Sequence, residues 1–366
     1  QFLIAIGLLA SVGVSRQQLD YLLSKELGYE KENLLAIPSL PREWSPQGVQ
    51  KLEAVKAQFR RIPGVMSVSH SYSVPGSTIG SNTAFSRPGW GAERTVSLAS
   101  YPVDSNFLQA FNLQMVEGRF FSEEIASDSG AIILNEAAMQ AFEWESVEGK
   151  YLKFQNQDIP IIGVVKDFHF ESLHHRIRPM YMSFGGIYYR YLLLKISGDN
   201  IHEIAENVQT LWGEIYPAAP LVFSFLDDDI NRLYKRETQM KQVAGFATTL
   251  AILIACLGIL GLITLNISQR MKEIGIRKVL GASIPRIVLL FSKEFILLIS
   301  VAATIAAPVV YFAMNRWLEA FAYRVEITGG IFILSGVLAL LIALAIVVIQ
   351  AGKAGLANPV KALRYE

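Results

Sequence analysis

Three stretches of this chain are too long and too apolar to be core helices of a soluble globule. Residues 243–265, 287–312 and 331–350 together hold two charged residues, Lys293 and Glu294. A helix needs roughly 20 apolar residues to cross the ~30 Å hydrocarbon layer, and each stretch reaches that length. A fourth stretch, 1–14, is apolar but shorter. We read it as the outer end of a truncated transmembrane helix whose start precedes Gln1. A cleaved signal peptide has a similar apolar run, but here no basic segment comes before it and no small-residue cleavage site follows. Over the whole chain 18% of residues are charged and 52% hydrophobic. Outside the four stretches the charged share rises to about 22%, near the norm for soluble domains. An ordinary globular portion is therefore joined to a membrane portion.

Charge then orients the spans. The loop 266–286 carries Arg270, Lys272, Arg277, Lys278 and Arg286 against Glu273 alone, and the tail 351–366 carries Lys353, Lys361 and Arg364 against Glu366. The loop 313–330 is balanced, with Arg316 and Arg324 against Glu319 and Glu326. Basic loops stay in the cytoplasm, so 266–286 and 351–366 are inside and 313–330 is outside. Parity over four spans places 15–242 outside as well, and Trp317 and Tyr323 suit an outer aromatic belt. The balance of 33 basic against 32 acidic residues excludes a nucleic-acid binder, which needs a basic face. A single cysteine, Cys256, excludes an intrachain disulfide framework and a Cys-cluster zinc site.

The outer portion reads as two separated β-α-β units. The first is strand 34–40, helix 45–62 and strand 65–74. Ser45-Pro46 is a cap followed by a proline at the first helical position, and Pro63-Gly64 is a stop. The second is strand 188–196, helix 200–215 with Ile201, Ile204, Ala205, Val208, Leu211 and Ile215 on one stripe, and strand 221–226. Such a pairing is a split ferredoxin-like sheet. Between the units lies an insertion with strands at 131–134 and 159–165 and a helix at 135–142. Residues 227–242 read as a helix running into the second span, a lever between the outer domain and the membrane.

Motifs for chemistry are sparse. Asp167, His169, Glu171, His174 and His175 form a His-carboxylate segment of the kind that binds metal; the plainer reading, a strand end and a surface loop, is the one we adopt. No Gly-x-Ser-x-Gly elbow and no phosphate-binding Gly-x-x-x-x-Gly-Lys-Ser/Thr loop occurs in the sequence. No catalytic residue, metal ligand or cofactor is assigned. Lys293 and Glu294 lie near an inner span end, where both can snorkel to the interface. Gly258 and Gly261, with Ala251 and Ala255, give the second span a small-residue face suited to close helix packing. In the cytoplasmic loop Ile267, Met271, Ile274 and Val279 share one helical face and Gly281 is a stop, so the loop is a short amphipathic helix at the inner surface.

That loop carries a resemblance. Arg270–Ser283 resembles the signature loop of FtsX/MacB-type permeases of ABC transporters, the ending Asn358–Glu366 resembles their C-terminal segment, and Ile162–Leu173 resembles the outer domain of the MacB-like branch. Pro308 and Trp317-Leu318 also sit where such permeases have them. The resemblance implies a membrane protein with an α-helical bundle of four transmembrane helices and an α+β extracytoplasmic domain. It divides that domain into a porter-like part (30–74 and 183–228), an inserted sabre-like part (75–182) and the lever helix 227–242. It implies a coupling helix that docks on an ABC-type ATPase subunit through Arg270, Met271, Lys272, Glu273, Ile274, Gly275, Ile276, Arg277, Lys278 and Gly281. It also implies a permease that works by mechanotransmission without ATPase activity of its own, as a dimer or pseudo-dimer of four-span units in the bacterial inner membrane. Membrane lipid and a periplasmic partner complete its implied contacts. The cargo ranges from macrolides and peptides to lipoproteins, and the truncated first helix fits the second unit of an eight-span permease. The competing readings are a membrane-anchored binding or signalling module that needs no ATPase, and an outer-domain enzyme that no motif supports.

Overall fold

The computed structural model describes residues 1–38, 45–91, 93–155, 157–185, 188–270, 273, 276–277 and 283–356. They divide into two compact units, Gln1–Ser24 with Arg236–Glu366, and Lys25–Lys235.

The chain opens with helix α1 (Phe2–Ser24). It does not end near Val14, as apolarity alone suggested. Buried Val14, Gln18, Leu19 and Leu22 extend the stripe begun by Ile6 and Ala10, and this 3–4 spacing keeps one face of the polar-looking segment covered. At 23 residues α1 is long enough to span a membrane.

In the Lys25–Lys235 unit the expected βαβ pair is present. Strand β1 (Leu34–Pro38), helix α2 (Pro46–Phe59) and strand β2 (Val65–Ser71) form the first half. The Ser45 hydroxyl accepts the Gly48 amide at 3.1 Å, the cap read from sequence. Gly64 turns the chain at φ +86, and a side chain there would meet Ile204 at 2.5 Å, so the stop is both conformational and steric. The insertion supplies β3 (Asn82–Phe85), β4 (Val96–Val103), α3 (Phe107–Ala110), β5 (Met115–Gly118), β6 (Ile132–Asn135), α4 (Glu136–Ala141), β7 (Tyr151–Phe154), β8 (Gln157–Val165) and β9 (Met180–Phe184). The second half is β10 (Tyr191–Ile196), α5 (Ile201–Ile215), β11 (Ser224–Phe225) and α6 (Leu226–Leu233).

The strands form one path, β11-β1-β10-β2-β4-β9-β6-β8-β5, with β3 on β4 and β7 on β8. The pairs are antiparallel except β4 with β9 and β6 with β8. The insertion is therefore not a free-standing module; it prolongs the sheet, and β9 runs across the expected boundary at 182/183. The bridge between halves is narrow, a single ladder pair, Ser71 with Val103. One core lies under α2 and α5, with Leu52, Val55, Phe59, Val208 and Trp212 against Leu35, Ile37, Leu192 and Leu194. A second lies in the insertion around Leu98, Leu134, Phe142, Trp144 and Val164.

The expected lever is not one helix. Residues 227–242 divide at Tyr234, where α6 ends and α7 (Lys235–Gln269) begins. The Tyr234 amide points to the Arg232 carbonyl two residues back and not to the carbonyl four back, so the regular helical bonding ends there.

The Gln1–Ser24 and Arg236–Glu366 unit is a bundle of α1, α7, α8 (Ile284–Leu318) and α9 (Gly329–Leu356). Four helices of the described residues are long and apolar enough to cross a membrane. Their shared core joins Ile6 to Ile259, Ile263, Phe295, Ile299, Ala306, Ala343 and Val347, while Phe246, Leu257, Leu297, Phe312 and Leu334 stay exposed, as a lipid-facing surface requires. The hydroxyls of Thr248, Thr264, Ser292, Thr304 and Ser335 each donate to the carbonyl four residues back in their own helix, the way a span hides a hydroxyl in lipid. Of the small-residue face on α7, Ala255 is buried and Gly258 lies against Gln1, but Gly261 faces open space.

Candidate functional site

The end of the bundle from which the basic loop 266–286 leaves is tied by one carboxylate. Glu294 of α8 accepts the Asn266 side-chain amide at 3.1 Å and pairs with Arg270 at 3.2 Å. Both partners come from the end of α7 and the residue after it, so the two helices flanking the basic loop are tied together. Glu294 is thus paired with two neighbours, and both it and Lys293 beside it are exposed. Of the loop residues named from sequence, Glu273, Ile276 and Arg277 are helical. Glu273 and Arg277, one turn apart, pair at 2.7 Å, and Ile276 is exposed. Ile267, expected on the loop's apolar face, belongs to the bundle core. Met271, Lys272, Ile274, Gly275, Lys278, Val279 and Gly281 lie outside the described residues, as does the tail 357–366.

In the Lys25–Lys235 unit, the His-carboxylate segment does not converge. Asp167 accepts the Asn135 side-chain amide at 2.8 Å and the Ala137 amide at 3.1 Å. Burial, with Glu136 nearby, raises its carboxyl. Glu171 receives two bonds from the Arg178 guanidinium, each 2.8 Å; burial works to raise it, but that guanidinium prevails and holds it below the usual range. The His169 imidazole is pushed down to about 4 by burial, with Lys25 adding to the effect. His174 Nδ1 bonds the Ser172 hydroxyl, and His175 is exposed. Asp167, Glu171 and His174 are each spent on a separate local bond, and the five groups do not gather within ligand distance of one another.

A tighter cluster lies where sequence reasoning did not look. Glu53, His70 and Asp104 bring ligand-type atoms within 4.8 Å of one another. The Lys56 ammonium stands among them, 2.8 Å from Asp104, 3.3 Å from Glu53 and 3.2 Å from Glu123. Asp104 also accepts the Ser69 hydroxyl at 2.6 Å and the His70 amide at 2.8 Å. His70 is wholly buried and stacks on Tyr189, and among the described residues neither ring nitrogen has a hydrogen-bond partner, the Glu53 carboxylate standing 3.8 Å from Nδ1. The cluster already holds its cation, and its bonds run from α2 and β2 to the insertion, across the single-pair bridge. The five residues come from four separate places in the sequence, with Glu53 and Lys56 on one helix, which hid them. One signal was readable: Lys56 sits four residues after Leu52 and three before Phe59, on the buried face of α2, where a charge needs a partner.

Family comparison decides the larger frame. A MacB-like periplasmic core domain model matches residues 3–211, and an FtsX-like permease C-terminal model matches residues 245–359. The chain belongs to the MacB/FtsX family of ABC transporter permeases. It is 23% identical over 280 residues to the uncharacterized ABC transporter permease YknZ of Bacillus subtilis, covering 72% of this chain and 69% of that one. It is 23% identical over 209 residues to the macrolide export ATP-binding/permease protein MacB of Aggregatibacter actinomycetemcomitans, covering 54% of this chain but 32% of the relative. The chain thus spans about a third of that MacB. The crystal structure of the periplasmic region of MacB from Actinobacillus actinomycetemcomitans covers 58% of this chain and 97% of its own, at 15% identity and a TM-score of 0.40.

Proposed function

We propose that this chain is the permease subunit of a mechanotransmitting ABC transporter, in which ATP hydrolysis by a partner subunit moves the extracytoplasmic domain. The observation that carries this reading is the tie of Glu294 to Asn266 and Arg270. It makes the ends of α7 and α8 a single base for the basic loop, so that a push on the loop reaches two spans together. Arg270, Met271, Lys272, Glu273, Ile274, Gly275, Ile276, Arg277, Lys278 and Gly281 form the docking segment for the ATPase, on the cytoplasmic side by the positive-inside rule. The chain works as a dimer or pseudo-dimer in a bacterial inner membrane with the Lys25–Lys235 unit on the periplasmic side. Efflux or the handling of lipoproteins or peptides there, with a periplasmic partner, is the task this arrangement suits.

The Glu273–Arg277 pair shapes the test. The double exchange Glu273→Lys with Arg277→Glu keeps an opposite-charge pair one turn apart while reversing what the loop presents outward. In a complex reconstituted with its ATPase, the exchange should abolish permease-stimulated ATP hydrolysis without loss of thermal stability. Stimulation equal to that of the parent complex overturns the docking assignment.

A further inference from the structure

The Asp167–His174 segment follows β8 and forms no common metal site, yet it is among the most deeply held parts of the unit. Phe168, Phe170 and Leu173 are each 1% exposed. Asp167 is fixed to the start of α4 through Asn135 and Ala137, and its own amide donates to Glu136 at 2.9 Å. Glu171 is fixed by Arg178, which also reaches Asn82 at 2.6 Å. Both ends of the segment are thus anchored in the inserted half of the sheet.

From that anchorage the segment grips the chain in two places. The first is the stretch arriving after α1. The His169 amide donates to the Leu27 carbonyl at 2.8 Å. Gly28, at φ +81, lies so close that a side chain there would stand 3.0 Å from the Asp167 carbonyl and from Phe168. Tyr29 then sets its ring edge-on to Phe168 at 6.2 Å. The second is the stretch leaving for α7. The Leu173 amide donates to the Tyr234 hydroxyl at 3.0 Å, and His174 stacks on the Tyr234 ring at 5.9 Å. Tyr234, 3% exposed, is the residue at which α6 ends and α7 begins.

We propose that Asp167–His174 is the force-bearing grip of the outer domain: one buried segment that holds both chain connections to the membrane bundle and delivers their displacement to the inserted half of the sheet. Tyr234 and Gly28 are its positioning residues. The inference rests on the mechanotransmission reading above and goes beyond it, since it says where the stroke enters the domain. It also accounts for the break in the expected lever. A helix interrupted at a clamped tyrosine passes load into the clamp, whereas an unbroken helix would pass it along its own axis.

The test compares the full-length chain with Tyr234→Phe, which removes one acceptor and keeps the ring, and with His174→Ala, which removes the stack from a partly exposed position. Each is assembled with the ATPase in nanodiscs, and amide exchange of residues 25–235 is followed with and without ATP and vanadate. In the parent, the nucleotide should change exchange within the insertion. In Tyr234→Phe that change should shrink at least about threefold while ATP hydrolysis persists. In the nucleotide-free chain the same variant should speed exchange at His169 as well as at Leu173, because the two bonds share one segment. A nucleotide response of parental size in both variants, or faster exchange confined to Leu173, overturns the grip and leaves the coupling reading standing. A parent that shows no response overturns both.

Discussion

A lysine on the buried side of a helix forces a decision on everything around it. Lys56 resolves its own desolvation by collecting Asp104, Glu53 and Glu123. Burial works to lower the ammonium, but these carboxylates, Asp104 foremost, raise it above its ordinary value. Removing one member of a buried pair costs about 3–5 kcal/mol, because the other charge is left uncompensated. Lys56→Met should therefore destabilise the outer unit by roughly that amount, and Lys56→Met with Asp104→Asn should recover part of the loss. Chemical denaturation of the full-length chain in detergent, followed by the fluorescence of Trp212 and Trp144, measures both. A loss as small as an exposed pair gives, about 0–1 kcal/mol, would mean that solvent already satisfies Asp104. The place of Lys56 on the apolar face of α2 was a signal that sequence reading passed over, and its partners had none, since contacts between positions 56, 104 and 123 are set by how strands β2 and β4 meet.

At the scale of elements, what could be read followed the range of the forces. Helix α2 carries its own cap, stop and apolar stripe, and α5, whose Asn200 makes no capping bond, carries the stripe and the proline stop, so the split βαβ pair was legible from 3.6-residue periodicity. The insertion's strands are mostly four residues long, β6 among them, and neither their parallel and antiparallel neighbours nor their continuity with the first half has a local signature. Helix α1 shows the opposite error: the apolar run stops at Val14, but burial continues to Leu22. The polar member of that extension has a structural task. Gln18, 1% exposed, donates to the Tyr323 carbonyl at 2.8 Å and accepts the Val325 amide at 2.9 Å, fixing the loop between α8 and α9. Gln18→Leu removes the bond to the Tyr323 carbonyl and the acceptor of the Val325 amide, a loss of about 1–3 kcal/mol for a buried group left unpaired. It should open the loop 319–328 to limited proteolysis, while Gln18→Glu, which keeps an acceptor for Val325, should open it less. Equal resistance in all three proteins would show that the loop is held by other contacts.

For the whole molecule, acid should act on the outer unit in two steps. Folding holds the His169 imidazole at about 4 against an ordinary 6.5, so the unfolded chain takes up the proton first. Stability from this source is complete above pH 6.5 and is lost as pH falls toward 4. Asp128, bonded by both arms of Arg119 at 2.6 and 2.7 Å, is held below its ordinary 3.8 by that guanidinium. Its contribution persists above 3.8 and fades only as pH falls through its lower folded value. Thermal melts should therefore decline first between pH 6.5 and 4, and His169→Gln should flatten that decline without altering the steeper loss in stronger acid. An unchanged slope in His169→Gln would assign the first step to another group.

The hydroxyls inside the spans carry a consequence of their own. Each bonds its own helix, so the polar ties described between different segments of the bundle lie at its two ends: Gln18 with the outer loop, Lys241 with Asp20 at 3.6 Å, and Glu294 with Asn266 and Arg270. Between these rivets the described core joins Ile, Ala, Val, Phe and Leu side chains, which are held by shape and dispersion and not by any bond that names its partner. Such a bundle is keyed at its ends: the bonds that specify which residue meets which lie there, and between them complementary shape alone sets the fit.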